Sequence, residues 1–438
     1  MIIGKEKTAC GLVAALGVLG FSLMLGGCAG APNRGEEPLV VEAEEQTVEV
    51  DGFLVRTRRD GDEIITEQYD VNELFGEAFH AFQAGNYEEA LEKYGLIGRH
   101  VPGSRFNLSS LYNGGLAAER LGRWEVAAEL YELLLAVHGD HEDALNARFR
   151  LGITWMELGR YEEVEELMTE VLLRYENLAH YDRVEAHIRR GMALLGLERW
   201  TEATQTFQTV LELNGRMTGR HRLADNHQFV VQAHYGIGEA NHARMNEIPL
   251  VLPPSQMSVD LERKAEFHQA AQRAYIRALR EHHPHWSVAA GYKIGRLYQD
   301  FYMDIFTAEI PDDLTALELE VYFEELRKKI EVLMTRAMSV YERNLSFSRR
   351  VVPVQEAEAW VEQTALHLSR MRAFLDDPVV MRRAEELVVS GGDLEDLWDT
   401  AYYARHAVEQ ALGQAVEAAV TEVGGQEAEV GGQASLAP

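Results

Sequence analysis

The densest group of side chains with metal chemistry is a run of histidines, His282, His283 and His285, directly after Glu281. Imidazole nitrogens are common metal ligands, so a metal site is one interpretation of this run. The alternative is the polar C-terminus of a helix that ends at Pro284, where such residues suit the helix dipole. Adjacent histidines point in different directions, and no cysteine or carboxylate at ligand spacing completes the set. We therefore predict no metal and no cofactor, and the three histidines remain the metal candidates.

Recognisable catalytic motifs are missing from the sequence. It contains no His-Glu-x-x-His zinc motif, no glycine-rich phosphate loop and no Gly-x-Ser-x-Gly nucleophile turn. The aromatic residues between Tyr292 and Phe306 have helical spacing, which favours packing between helices over a ligand site. We therefore predict that the protein is not an enzyme. An enzymatic or metal site within residues 214–284 is the less favoured alternative.

Cysteine chemistry is predicted at the beginning of the chain. Lys5 and Lys7 precede an uncharged stretch, residues 8–25, and Gly27-Cys28 follow shortly after it. This arrangement resembles a bacterial lipoprotein signal peptide with its lipobox. The resemblance implies cleavage before Cys28 and attachment of acyl chains to that cysteine. A membrane-spanning helix is the alternative, but the stretch is short and rich in glycine.

The same resemblance implies a location in the cell envelope. Ala29, not an aspartate, follows the cysteine, and in such lipoproteins this implies the outer membrane, on its periplasmic face. Several acyl chains form an effectively permanent anchor, because each buried methylene adds about 0.8 kcal/mol. The net charge of −29 disfavours nucleic acid and anionic lipid headgroups as partners. We therefore predict contact with the membrane through lipidated Cys28 and no binding of nucleic acid.

Three segments precede the first helical pattern. Residues 1–27 form the predicted signal peptide, and the acidic, aperiodic residues 28–45 form a tether. Two Asp-Gly pairs stand among short β-branched runs in residues 46–70, which predicts a β-hairpin or a small meander there. The tether would connect the anchor to this β segment and to the helices beyond it.

An internal repeat dominates the next part of the chain. Gly85-Asn-Tyr-Glu-Glu-Ala90 recurs with small changes, and the copies end at Ala90, Ala127, Val164 and Ala203. Successive copies are 37, 37 and 39 residues apart. The pattern resembles the tetratricopeptide repeat, a helical hairpin with a period of 34 residues. The family's small residue in the first helix (helix A) falls on Ala78, Gly115, Gly152 and Gly191. Its helix-B aromatic falls on Tyr94, Tyr131 and Phe207, with Met168 as a substitute.

The repeat predicts the fold class. Small residues let two helices cross closely, and an aromatic side chain one turn further on fills the gap to the next pair. No pair buries its apolar face alone, so stacked pairs share one core. We predict an all-α fold, a tetratricopeptide-repeat-like α-solenoid of stacked helical hairpins after the N-terminal β segment. The predicted parts are four repeats (71–217), two degenerate, elongated hairpins (218–347), C-terminal helices including one that could cap the solenoid (348–423), and a disordered tail (424–438).

The resemblance also implies a partner groove, because helix A lines the concave surface in this family. Two positions three residues apart supply its candidate apolar side chains: Phe79, Leu116, Ile153 and Met192 at the first, and Phe82, Met156 and Leu195 at the second. Such a groove would accept apolar side chains of a partner helix or extended segment. Burial of these residues between adjacent A helices is the competing interpretation.

The predicted function is a non-enzymatic scaffold that is anchored to the outer membrane. It would mediate protein–protein interactions in a periplasmic or cell-envelope assembly, with envelope proteins bound in the groove. The alternative is a chaperone-like module that binds apolar segments of envelope proteins during their biogenesis, since methionine adapts its shape to many partners. A metal-binding or enzymatic protein is the third and least favoured function.

Overall fold

The computed structural model describes residues 52–60, 63–175, 177–351, 357–392 and 394. The predicted signal peptide, Cys28, the tether and the tail lie outside the described residues. The predicted capping helix also lies outside them, apart from Leu394. The chain divides into two compact units, Met1–Ala240 and Asn241–Pro438.

The first described element is an antiparallel β-hairpin, which confirms the predicted strand pair. Strands β1 (Phe53–Asp60) and β2 (Glu63–Asp70) pair from Phe53 with Asp70 to Asp60 with Glu63. Asp70 then begins the first helix. Its carboxylate accepts the backbone N–H groups of Asn72 at 2.8 Å and Glu73 at 3.3 Å, which caps the helix N-terminus.

Helical hairpins follow, and each consists of an A helix and a B helix. The A helices of the first unit are α1 (Val71–Gln83), α3 (Asn107–Arg120), α5 (Ala144–Glu157) and α7 (His180–Gly196). The B helices are α2 (Tyr87–His100), α4 (Trp124–His138), α6 (Tyr161–Arg174) and α8 (Trp200–Arg216). A short 3₁₀ turn, Gly219–His221, precedes α9 (Gln228–Asn246), which contains the boundary between the units. The predicted solenoid of stacked hairpins is confirmed.

Two residues after the end of each A helix of the first unit, the chain adopts a left-handed backbone conformation. Gly85, Gly122 and Gly159 have φ angles of 80°, 68° and 71°, and Glu198 adopts 58° at the equivalent place. Glycine reaches this region without steric cost, which explains why it recurs in the sequence. The next residue donates its N–H to a carbonyl five residues back, as a Schellman motif requires; the N–H of Arg123, for example, lies 2.9 Å from the Ala118 carbonyl.

A notch in the A helix receives a ring from the B helix of the same pair. A Cβ atom on Gly115 would lie 2.5 Å from the ring of Tyr131, and one on Gly191 would lie 2.6 Å from the ring of Phe207. Real Cβ atoms essentially never approach so closely. The ring of Phe207 also abuts Gly236 of α9. This aromatic residue therefore fills the space between one pair and the next, as the repeat pattern predicts.

Most of the described helices of the second unit are longer than those of the first. The helices of this unit are α10 (Pro254–Arg280), α11 (Pro284–Phe306), α12 (Ala316–Val351), α13 (Glu358–Asp376) and α14 (Pro378–Ser390). The first three contain 27, 23 and 36 residues. No helix among the described residues is both long and apolar enough to span a membrane. The notch recurs here, because Tyr341 of α12 packs directly on Gly295 of α11.

Sequence reasoning does not find α14, although its boundaries carry ordinary signals. The Asp377 side chain accepts the N–H of Val379 at 2.8 Å, and Pro378 occupies the first helical position. Gly391 ends the helix with a φ of 67°. The helix is short and lies outside the repeat pattern, so the repeat alone gives no reason to expect it.

A chain of polar contacts runs through the second unit. The Nε2 atom of His242 lies 3.0 Å from Asp300 Oδ2, and its Nδ1 atom lies 3.4 Å from the Tyr275 hydroxyl. Arg296 binds the other oxygen of Asp300 at 3.0 Å and reaches His367 Nε2 at 3.4 Å. Burial alone would raise the pKa of Asp300, but Arg296 and His242 bring it below its ordinary value. The carboxylate is therefore ionised at neutral pH.

Two buried histidines of this unit stay neutral. Burial lowers the pKa of His268 to about 4, and His242 and Arg336 act in the same direction. Burial likewise lowers the pKa of His367 to about 3, and Arg296 adds to the effect. Both histidines gain a proton readily only when the chain unfolds, so acid favours the unfolded state.

The notch generates the first prediction. Gly191→Ala should destabilise the first unit, because its methyl group overlaps the ring of Phe207; overpacking of this kind costs about 1–3 kcal/mol. Gly76→Ala is the matched control, since Gly76 lies inside α1 with no atom within 4 Å of an added Cβ. The control should gain up to about 1 kcal/mol from helix propensity. Urea denaturation measures both, and equal changes in the two variants would contradict the notch.

The buried histidines generate the second prediction. Their contribution to stability is complete above pH 6.5, the ordinary histidine pKa, and falls as the pH drops toward 4. Each histidine should contribute about 1.4 kcal/mol per pH unit in that window. His268→Phe keeps a ring beside Tyr298 and Phe301 and should reduce the pH slope of the unfolding free energy by that amount. Denaturation of the wild type and of His268→Phe at pH 7 and pH 5 tests this. The same change in unfolding free energy between the two pH values in both proteins would rule it out.

Candidate functional site

The A helices of the first unit carry equivalent side chains on one side. One row consists of Phe79, Leu116, Ile153 and Met192, and the second row, three residues on, consists of Phe82, Glu119, Met156 and Leu195. Residues three apart are neighbours on a helix surface, so the two rows share one side of each helix. We call these eight residues the A-helix face.

Burial separates the predicted groove residues into two groups. Leu116 and Phe82 are only 2% and 7% exposed, so both belong to the core. These two residues are therefore buried among the helices, as the competing interpretation predicts, and are not open to a partner. The other predicted residues are half-buried and keep surface for a partner: Phe79, Ile153, Met156, Met192 and Leu195.

A buried ion pair lies within the A-helix face. Glu119 is 2% exposed, and its Oε1 atom accepts the Nε–H of Arg150 at 3.1 Å and the Tyr131 hydroxyl at 2.8 Å. A second guanidinium nitrogen of Arg150 binds the other carboxylate oxygen, so the pair is bidentate. Burial raises the pKa of Glu119, whereas Arg150 and Tyr131 lower it. On balance the pKa of Glu119 lies above its ordinary value, and the permanently charged guanidinium of Arg150 favours its ionised form. The pair fastens α3 to α5.

Glu157 adds a second carboxylate at the edge of this face. It is the last residue of α5 and lies one turn beyond Ile153, hence on the same side of the helix. Its side chain is half-buried and forms no hydrogen bond or ion pair with any described residue. Burial, and then the charge of Glu119, raise its pKa to about 7. This carboxyl therefore keeps its proton to a higher pH than an exposed glutamate does.

Arg189, a basic residue on the A helix α7, already has an ion-pair partner. Arg189 of α7 binds Glu185, with its Nε atom 3.1 Å from the carboxylate. Its guanidinium also stands 6.0 Å from the centre of the Phe149 ring, on the neighbouring A helix. The Arg189–Glu185 pair therefore lies within α7, whereas the Arg150–Glu119 pair joins α5 to α3.

The histidine candidates for a metal do not converge. His283 caps α11, where its Nδ1 atom accepts the N–H of Trp286 at 3.4 Å. His285 accepts the indole N–H of Trp360 at 3.3 Å, and His282 is exposed with a φ of 55°. Within the described ranges, no group of three histidine, cysteine, aspartate or glutamate side chains is placed to hold a metal. The histidines lie in and beside the turn between α10 and α11, where His283 caps the second helix.

Solved structures similar to parts of this chain have low identity to it. One, titled MamA RS-1 ArsTM double mutant, is 16% identical, with 45% of this chain and 94% of that chain covered, and a TM-score of 0.31. A tetratricopeptide repeat protein from Parabacteroides merdae is 16% identical, with 67% and 98% covered, and a TM-score of 0.34. The repeats of a putative kinesin light chain from Podosopora anserina are 18% identical, with 46% and 97% covered, and a TM-score of 0.33.

The family comparison concerns the middle of the first unit. No curated protein matches the chain. Residues 112–172 match the tetratricopeptide repeat model, and this segment runs from α3 into α6. It includes the Tyr131 ring, its notch at Gly115 and the Glu119–Arg150 pair. Residues 112–172 therefore match a tetratricopeptide repeat, and the helical hairpins that contain them form a solenoid like that of the repeat.

Proposed function

We propose that the protein is a non-enzymatic scaffold that binds protein partners through the A-helix face. The observation that supports the proposal most directly is the half-buried set of five apolar side chains on three of the A helices. Each of them exposes apolar surface that a partner would remove from water, at a gain of about 25 cal/mol per Å². Apolar side chains of a helix or an extended segment fit such a face.

The proposal includes an anchor in the outer membrane through lipid on Cys28. Its support is the sequence before that residue, which resembles a lipoprotein signal peptide. An anchor would hold the A-helix face near the membrane and raise its effective concentration for partners that reside there. The proteins bound would therefore belong to a periplasmic or cell-envelope assembly.

One observation favours a second candidate function, a chaperone-like module. Met156 and Met192 are both half-buried on the A-helix face. Methionine is flexible and polarisable, so a face that contains it can adapt to unrelated apolar segments. A scaffold would retain a small number of partners in fixed ratio, whereas a chaperone would suppress aggregation of many clients.

The A-helix face generates the third prediction. The double variant Phe79→Glu, Ile153→Glu should lose its partners, because two carboxylates enter surface that must become dry on binding. Both residues are half-buried, so the fold should survive, which circular dichroism can establish. Leu173→Glu is the matched control, since Leu173 is an apolar residue of B helix α6 with 77% exposure.

Cross-linking in intact cell envelopes, followed by quantitative mass spectrometry, measures the outcome. The double variant should capture each wild-type partner at least tenfold less, and the Leu173 variant should capture it unchanged. A double variant that folds and retains all partners would contradict binding through this face. Loss in the Leu173 variant alone would assign binding to the B helices.

The anchor generates the fourth prediction. Cys28→Ser removes the sulfur that carries lipid, so the variant should move from the membrane fraction to the soluble fraction. Metabolic labelling with an alkyne-bearing palmitate should mark the wild-type protein and leave the variant unmarked. Equal membrane association of the two proteins, with no label on either, would contradict the lipid anchor and leave binding through the A-helix face unaffected.

A further inference from the structure

We infer that the A-helix face takes a partner segment in which a lysine or arginine stands among apolar residues, and that Glu157 pairs with this cation. The inference deepens the proposed function and rests on it, because it names the chemistry of the partner for the same face. Glu157 supplies the charged contact, and the half-buried apolar residues around it supply the rest of the surface.

The position of Glu157 places its carboxylate among the apolar residues of the face. On α5 it follows Met156 directly and lies one turn after Ile153. Burial raises the pKa of Tyr161, and the charge of Glu157 acts in the same direction. The ring of Tyr161 packs on Gly196 of α7, at 2.6 Å from where its Cβ would be. Tyr161, whose pKa responds to Glu157, therefore contacts the end of α7, which carries Leu195 next to Gly196.

The chain supplies no cation to Glu157 within its described residues. Arg150 already donates to both carboxylate oxygens of Glu119. Arg160, three residues further on, binds Glu163 at 2.9 Å and Glu132 at 3.1 Å. Its guanidinium also lies 4.7 Å from the centre of a neighbouring indole ring. Both nearby guanidinium groups are therefore committed elsewhere.

Electrostatics favours a cationic partner at this point. Partial burial disfavours the ionised form of Glu157, and the carboxylate of Glu119 disfavours it further. A lysine or arginine from outside relieves both effects, because it brings an opposite charge to hydrogen-bond distance. An acidic segment meets repulsion from the same two carboxylates and from a chain with a net charge of −29. The face thereby discriminates between basic and acidic apolar segments.

A phage-displayed library of random dodecapeptides tests the inference with a defined probe. Selection on the full-length wild-type protein should enrich peptides in which lysine or arginine is flanked by apolar residues. A synthetic peptide from that selection should bind Glu157→Gln about tenfold more weakly, because a charge-assisted contact is lost. Glu157→Lys should select aspartate or glutamate in place of the basic residue.

Glu166→Gln is the matched control, since Glu166 is an exposed glutamate of B helix α6 with no partner among the described residues. Its affinity for the peptide should equal that of the wild type. Basic enrichment that persists in Glu157→Gln, or apolar peptides selected without a cation, would overturn the inference. Peptides that bind the Phe79→Glu, Ile153→Glu variant as well as the wild type would overturn the proposed face itself, and so would a failure to select any peptide.

Discussion

Three helical pairs of the first unit share one contact, in which a side chain of the B helix enters a notch left by a glycine of the A helix. At Gly115 and Gly191 the rings of Tyr131 and Phe207 occupy the space that a side chain would need. The contact sets the distance between the two helices, and Phe207 extends it to Gly236 of the next helix. Because the notch recurs at the same place in successive pairs, the A helices stack in one register. The A-helix face is a consequence of that register.

The same contact explains which parts of the fold are predictable. The notch residue, the ring and the turn glycine are local choices of residue type, and their fixed spacing makes them visible in the sequence. Glu198 shows that the pattern tolerates exceptions, since it adopts a φ of 58° where the other copies have glycine. The second unit is less predictable, because its helices of 27, 23 and 36 residues follow no period. Its last described helix, α14, is marked by Asp377-Pro378 at its start and Gly391 at its end, but no repeat predicts it.

The sequence predicts which residues lie on the A-helix face, but it does not predict how exposed each side chain is. Leu116 and Ile153 are equivalent in the repeat, yet Leu116 lies in α3, where every residue from Asn107 to Glu119 is buried. Ile153 is half-buried, because burial depends on what packs over a helix and not on the side of the helix alone. Glu157 is harder still to find, since the sequence has 71 acidic residues and only spatial neighbours distinguish this one.

The state of Glu157 follows from how the first unit accommodates a charge in its interior. Glu119 stands at a row position that is apolar in the other copies, and its carboxylate accepts two donors from Arg150 and one from Tyr131. A buried pair of this kind adds little net stability, because desolvation offsets the attraction; its effect is to fix α3 against α5. Arg150 is already paired with Glu119, whereas the charge of Glu119 still repels the carboxylate of Glu157. Glu157 is thus a half-buried carboxyl with a raised pKa and no ion-pair partner among the described residues.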